Sequence, residues 1–188
     1  MRVIAGSARR LLLTTPAGMD TRPTTDQIKE TLFNMLNPYL ADCEFLDLFA
    51  GSGGIGIEAL SRGAKHACFV EHGREALNCI RNNLTHTHLD SCASVYGMDF
   101  LAALDRMKSE HRRFDVIFMD PPYGRGLEVT ALTALKQYGL LNDDALIVVE
   151  ASKETPIDEI SGLGYTVRKI KEYKSNRHWF LEETVSGT

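Results

Sequence analysis

Phe45-Leu46-Asp47-Leu48-Phe49-Ala50-Gly51-Ser52-Gly53-Gly54-Ile55-Gly56-Ile57-Glu58-Ala59-Leu60 decides how this chain folds. An apolar run ends in a glycine-rich turn and passes into apolar residues at helical spacing, the pattern of a strand, a tight loop and the start of a helix. Glycines at 51, 53 and 56 permit φ > 0 and, lacking Cβ, let a small molecule lie against the main chain. Asp47 then needs a reason, because a carboxylate inside an apolar strand is costly to bury without a partner. A cationic ligand supplies one. Gly51, Gly53 and Gly56 also satisfy G-x-G-x-x-G, and Glu71 stands twenty residues beyond Gly51, where a dinucleotide fold holds a ribose hydroxyl. On these residues alone, a dinucleotide site, another small-molecule site and a ligand-free turn all stay open.

Outward from this stretch, strand and helix alternate. Strands are predicted at Glu44 to Phe49, Ala67 to Glu71, Ala93 to Tyr96, Phe114 to Met119 and Ala145 to Glu150. Helices are predicted near Gly54 to Arg62, Arg74 to Thr85, Phe100 to Met107 and Leu127 to Tyr138. Such alternation builds a parallel sheet with right-handed crossovers, helices on both faces and ligands at the carboxyl ends of the strands. After a short helix within Pro156 to Ser161, the segments Tyr165 to Tyr173 and His178 to Glu183 read as an antiparallel hairpin turning at Lys174-Ser175-Asn176-Arg177. Before the alternation, Met1 to Asp20 reads as a β-hairpin or extended arm. A capping-box pattern at Thr24 and Gln27 then opens a helix from about Thr25 to Leu36, stopped near Pro38.

Length and composition narrow the classes. At 188 residues and 44% hydrophobic content, one globular domain with a full core is expected. Cys43, Cys68, Cys79 and Cys92 show no C-x-x-C spacing, so they read as buried free thiols of a reducing compartment, with no metal site. No apolar run approaches the roughly 20 residues of a membrane span, and the expectation is a cytoplasmic protein. The net charge of -4 conceals two basic ends: residues 1 to 22 carry Arg2, Arg9, Arg10 and Arg22 against Asp20, and residues 165 to 178 carry Arg168, Lys169, Lys171, Lys174 and Arg177 against Glu172. Either end is a solvated face or a phosphate-binding one.

The chemistry is carried by Asp120-Pro121-Pro122-Tyr123 at the end of the predicted fourth strand, beside the glycine loop of the first. An exocyclic base amine is a poor nucleophile because its lone pair is delocalised into the ring; acceptors on its two N–H bonds favour the tetrahedral nitrogen that can attack a methyl sulfonium. The Asp120 carboxylate and the Pro121 carbonyl are two such acceptors, and consecutive prolines stiffen the turn that presents them. Tyr123 offers a ring on which an extruded base can stack, and an Asp with an ordinary pKa near ~3.9 orients the amine rather than deprotonating it. Asp99 precedes Phe100 at a helix start and reads first as an N-cap. His86 and His88, near a helix end, read as surface residues.

The Asp47-Leu48-Phe49-Ala50-Gly51 lead-in resembles the S-adenosylmethionine loop of class I methyltransferases, and Asp120 to Tyr123 resembles the signature of amino-group nucleic-acid methyltransferases. That resemblance implies a cofactor site of Asp47, Phe49, Gly51, Ser52, Gly53, Glu71, Asp99 and Phe100: Asp47 near the methionine portion, Glu71 on the ribose, Asp99 on the adenine amine and Phe100 against its ring. Together with Arg2-Val3-Ile4-Ala5-Gly6 and Arg22-Pro23-Thr24 leading into Lys29-Glu30, these motifs resemble the RsmD family over nearly the whole chain. The resemblance implies a Rossmann-like class I methyltransferase domain over 1–188, a mostly parallel seven-stranded sheet with a C-terminal antiparallel hairpin and a short N-terminal β-arm plus helix. Residues 1–40 would contact RNA and 41–188 would form the catalytic core. It also implies methylation of a guanine N2 amine in 16S ribosomal RNA, with Asp120, Pro121, Pro122 and Tyr123 as the acceptor turn. Arg2, Arg9, Arg10, Arg22, Lys171, Lys174 and Arg177 are the expected RNA contacts, from the basic ends. The expected substrate is an assembling or assembled small subunit, met by a monomer. Other expectations stay possible: an amino-methyltransferase of another RNA or of DNA adenine, a protein or small-molecule methyltransferase, a nicotinamide oxidoreductase, or a non-catalytic RNA-binding module.

Overall fold

The computed structural model describes residues 1–17 and 26–184, apart from the side chains of Glu159 and Ser161. Five strands run parallel: β1 (Glu44–Leu48), β2 (His66–Glu71), β3 (Ala93–Gly97), β4 (Phe114–Met119) and β5 (Leu141–Ser152). β6 (Tyr165–Glu172) and β7 (Asn176–Glu183) follow, with β7 antiparallel to both β5 and β6. The order across the seven-stranded sheet is β3-β2-β1-β4-β5-β7-β6, so the chain reverses direction of winding between β1 and β4. That reversal opens a crevice at the carboxyl ends of β1 and β4, the place where doubly wound sheets bind ligands.

The central strands are continuous apolar runs because both faces are covered, as parallel sheets require. On one face, α4 (Phe100–Ser109) and α5 (Leu127–Gln137) pack Leu104, Met107, Leu132 and Leu135 against Leu46, Leu48, Ile117 and Ile147. On the other, α1 (Asp26–Leu40), α2 (Gly54–Ser61) and α3 (Arg74–Thr87) pack Leu32, Phe33, Ile57 and Ile80 against Phe45, Phe69, Phe118 and Val148. A short α6 (Asp158–Ser161) precedes β6. The strand-to-helix turn after β1 depends on two glycines. Gly53 caps α2 at φ 81°, and a Cβ on Gly56 would lie 2.3 Å from the buried Phe69 ring.

Several boundaries differ from the sequence reading, among them the start of β5 at Leu141 rather than Ala145. α1 does not stop before Pro38 but continues to Leu40. Pro38 removes only one N–H near the helix end, and Leu36 and Leu40, fully buried, hold the last turn down. The Thr24 cap lies outside the described residues. The hairpin turn is also earlier than expected, closed by Tyr173 N–H donating to the Asn176 carbonyl at 2.9 Å. Asn176 and Arg177 therefore belong to β7 rather than to the turn. The four cysteines are free thiols, Cys43 and Cys68 buried and Cys79 and Cys92 half-buried; burial pushes both buried thiols up to about 12.

The arm folds back on itself through an Arg2–Leu12 bridge and is clamped to α2 by a buried carboxylate. Glu58, fully buried, accepts from Ile4 N–H at 2.8 Å and Ala5 N–H at 3.0 Å. It also pairs with Lys29 at 3.2 Å and Arg62 at 2.8 Å. Lys29, equally buried, donates to the Arg2 carbonyl; desolvation lowers its pKa and Glu58 works against that. Glu58→Ala would leave the Lys29 ammonium buried without its anion, a loss expected to cost about 3–5 kcal/mol. Denaturant unfolding should show it, with hydrogen exchange at Ile4 and Ala5 rising ahead of the core; unchanged stability would refute the clamp.

Candidate active site

A cavity of about 950 Å³ occupies the crevice at the carboxyl ends of β1, β2 and β4. Asp47, Phe49, Gly51, Ser52, Glu71, Asp99, Phe100, Asp120 and Pro122 line it, which brings together most of the residues singled out from sequence. Gly53, Pro121 and Tyr123 are not part of the lining: Gly53 turns the chain into α2, Pro121 is buried, and Tyr123 is 49% exposed. Phe49 holds φ 73°, an unusual value for a residue with a side chain, and its ring lies 5.0 Å from that of Phe100 at 44°. The tilted pair makes an aromatic wall suited to a planar ring.

The strand register explains the acidic groups. Leu48 is level with Met119 and Met119 with Val149, so the chain emerging from β4 at Asp120 has Phe49 on one side and Glu150 on the other. Asp47 is 2% exposed and accepts from Gly56 N–H, in the first turn of α2, at 2.8 Å. Burial, opposed by that hydrogen bond and reinforced by Glu71, pushes its carboxyl up to about 7. Solvent reaches Asp120 from the cavity, but protein crowds its remaining sides, and this desolvation together with Glu150 and Asp47 pushes it up to about 8. The ordinary Asp pKa expected for Asp120 is therefore not found: desolvation first, and then the neighbouring acids, raise it. Glu71 accepts from Gly51 N–H at 3.0 Å with one oxygen and from His72 and Gly73 N–H at 2.8 and 2.7 Å with the other. It ties the end of β2 to the glycine loop. Asp99 caps α4, accepting from Leu101 N–H at 2.9 Å, while its side chain borders the cavity.

The basic residues at the two ends fare differently. Arg9 and Arg10 are exposed, whereas Arg2 pairs with Asp26 at 2.7 Å. Arg22 lies outside the described residues. Lys174 is exposed and Lys171 half-buried. Arg177 holds the hairpin instead of facing solvent: it donates to the Thr155 carbonyl, lies 3.8 Å from Glu172 and stacks 5.2 Å over Trp179.

The protein family described as Conserved hypothetical protein 95 matches residues 1–181. Ribosomal RNA small subunit methyltransferase D of Haemophilus influenzae is 40% identical over 91% of this chain and 88% of its own length. The protein of the same name from Escherichia coli K12 is 37% identical over 85% of this chain and 79% of its own. A solved Escherichia coli structure described as the candidate methyltransferase YhhF superposes with a TM-score of 0.82 at 32% identity, covering 99% of each chain. The chain belongs to the RsmD family. Its mostly parallel sheet with a closing antiparallel hairpin is the class I methyltransferase fold.

Within this RsmD family chain, sequence reasoning missed several cavity residues. Met1, Thr15 and Pro16 reach the cavity from the arm, and Lys29, His72 and Arg125 border it. Lys29 left a readable signal, since it falls on the same helical stripe as the buried Leu32, Phe33, Leu36 and Leu40. Glu150, beside Asp120 but outside the cavity lining, left another: like Asp47 and Glu71 it is a carboxylate in or at the end of an apolar strand. Among the described residues, no cluster of His, Cys, Asp and Glu is arranged to hold a metal ion, and no helix is long and apolar enough to cross a membrane.

The buried acid at Asp47 makes a pH prediction with a definite sign. Its carboxyl titrates higher folded than unfolded, so it favours the folded state fully below about 4 and that contribution is lost as pH rises to about 7. Asp47→Asn keeps an acceptor for Gly56 N–H and removes the titration. The stability of the variant relative to wild type should climb between pH 4 and 7 by up to ~1.4 kcal/mol per pH unit, then level off. Denaturation across that range with a flat difference would contradict the burial described.

Proposed function

We propose that this chain transfers a methyl group from S-adenosylmethionine to the exocyclic N2 amine of a guanine in 16S ribosomal RNA. The observation that carries the reading is the register of β1 and β4, which brings Asp120 and Pro122 of the acceptor turn onto one cavity with the glycine loop. The residues fit the cofactor. Carboxyls raised by burial and mutual repulsion favour a cation, the Phe49–Phe100 pair suits the adenine, and the volume exceeds what a nucleoside needs. When bound, the sulfonium supplies an electrophilic methyl and leaves as a neutral thioether.

This chain's own residues position the amine. Glu71 would hold the ribose of the cofactor and Asp99 its adenine amine, while Glu71 ties down the glycine loop and Asp99 caps α4. Asp120 and the Pro121 carbonyl accept from the two amine N–H bonds, turning the nitrogen lone pair toward the methyl. The transfer would form the N–C bond as the S–C bond of the cofactor breaks, leaving nitrogen cationic, and Asp120 would take up its proton, for which a raised pKa suits it. Tyr123, half exposed, takes the face of the extruded base. Arg9, Arg10, Lys171 and Lys174 hold flanking phosphates, with the arm and first helix (1–40) on the RNA side and 41–188 as the catalytic core of a single domain. A base in a single-stranded loop is cheap to extrude, and an assembling or assembled small subunit, met by a monomer in the cytoplasm, presents such loops preformed.

Small subunits lacking the modification should accept labelled methyl on a guanine N2 amine, and Asp120→Ala should lower kcat by about 10²–10³-fold. Label appearing on DNA adenine or another RNA instead would redirect the substrate; no methyl transfer at all would overturn the reading.

Charge makes a separate prediction. The carboxyls near 7 and 8 ionise as pH rises, so affinity for the sulfonium should increase from pH 6 to 9 with proton uptake by buffer. The uncharged thioether product should show a weaker slope. Calorimetry in buffers of different ionisation heat measures both, and parallel slopes would count against a charge-selective site.

A further inference from the structure

Behind the acceptor turn lies a buried polar cluster for which the reaction above has no use. Glu150 ends the apolar run of β5 and is 7% exposed, an expensive place for a carboxylate. Its two oxygens are fully engaged. Oε2 lies 3.1 Å from Nε2 of His178, and Oε1 accepts from the Asn176 side-chain amide and from the Tyr123 hydroxyl at 3.3 Å. His178 stands directly across from Glu150 in the β5–β7 pairing and is fully buried. The Phe118 ring lies 6.1 Å and the Tyr173 ring 4.8 Å from its imidazole, so it cannot turn away.

Three elements therefore meet on one carboxylate: the acceptor turn through Tyr123, the core through β5, and the C-terminal hairpin through Asn176 and His178. The titratable groups facing Glu150 are Asp120 and Tyr123 from the turn, His178 from β7 and Tyr173 from the end of β6. Arg177, which pairs with Ala151 next along β5, points to Thr155 and Glu172 instead.

We propose that Glu150 is a positioning residue for methyl transfer: clamped by His178 and Asn176, it fixes the Tyr123 ring through the phenol hydroxyl and sets a negative charge beside Asp120. The C-terminal hairpin thus governs the geometry of a turn to which it is not joined in sequence. The inference rests on the methyltransferase reading above. It assigns Glu150 no contact with the amine; its influence passes through Tyr123 and through the field at Asp120, whose carboxyl it helps to raise.

The test uses the full chain, small subunits lacking the methyl group, and three variants: Glu150→Gln, Tyr123→Phe and the double variant. Tyr123→Phe removes only the hydroxyl and should lower kcat/KM about 3- to 10-fold, the worth of one hydrogen bond, with cofactor affinity unchanged. Glu150→Gln should show at least that loss, and adding Tyr123→Phe to it should cost nothing more. Glu150→Gln should also move the acidic limb of the kcat/KM profile to lower pH by roughly one unit, because Asp120 then ionises without a neighbouring charge. A purely structural role would not move that limb. Additive losses with an unshifted limb would overturn the inference. If Glu150→Gln does not fold, Tyr123→Phe decides alone, since its ring is half exposed: wild-type kcat/KM there overturns it. Wild type without methyl transfer would instead be the failure of the underlying reading, distinguishable from an active wild type with indifferent variants.

Discussion

Like charges held at the carboxyl ends of adjacent parallel strands are the constraint on which this structure turns. Asp47, Glu71, Asp120 and Glu150 come from β1, β2, the turn after β4, and β5, and the register of the pairing leaves them no room to separate. Each is stabilised locally by a different device. Asp47 takes an N–H from the first turn of α2, where the positive end of the helix lies. Glu71 takes three backbone N–H groups, and Glu150 takes two side chains from β7. Asp120 meets the cavity, and desolvation, with Glu150 and Asp47 adding to it, raises its carboxyl. A fold that tolerates this arrangement gains where a cation arrives, because the ligand relieves a cost the empty cavity carries.

The arm stands in a similar relation to the glycine loop. Glu58 lies one turn into α2, and its carboxylate collects two backbone N–H groups of the arm together with Lys29 and Arg62. Removing either sign alone would strand the other in the core, so arm, α1 and α2 are bound to form together. Since α2 begins at the glycine loop, the arm's position is fixed relative to the ligand cavity, and Met1, Thr15 and Pro16 border that cavity as a result. Segments that look peripheral in sequence are thereby part of its wall.

Most of the sheet was legible because its signals are local. Apolar runs of strand length alternate with helical spacing, and the glycine turn and the Asp-Pro-Pro-Tyr turn both mark carboxyl ends of strands. The helix end at Leu40 was not legible, because Pro38 argues locally for an earlier stop and only the burial of Leu36 and Leu40 overrides it. Asn176 was misplaced for the same kind of reason: Lys-Ser-Asn-Arg has the composition of a turn, while the side-chain amide is drawn into β7 by a carboxylate 26 residues earlier. The raised Asp120 carboxyl was invisible too, since it depends on neighbours from strands separated along the chain.

The placement of basic charge completes the physical picture. A cavity ringed by carboxylates repels phosphate, so a polyanion cannot approach it along the shortest line. Away from the cavity, exposed cations lie on the arm, at Arg9 and Arg10, and in the hairpin turn, at Lys174, while Arg125 is exposed at the cavity border and Arg177 is folded inward against Trp179. Held by backbone contacts at these outlying points, a strand would present one base to the cavity with its phosphates kept outside. On the proposed reading the neutral, planar part of a nucleotide would enter the interior, where the Asp47, Glu71, Asp99 and Asp120 carboxyls stand alongside Lys29 and Arg125. That arrangement suits an amine, which has hydrogens to give to an ionised Asp120. On the proposed reading, the carboxyls that favour a cationic cofactor would also favour the amine edge of the base that follows it.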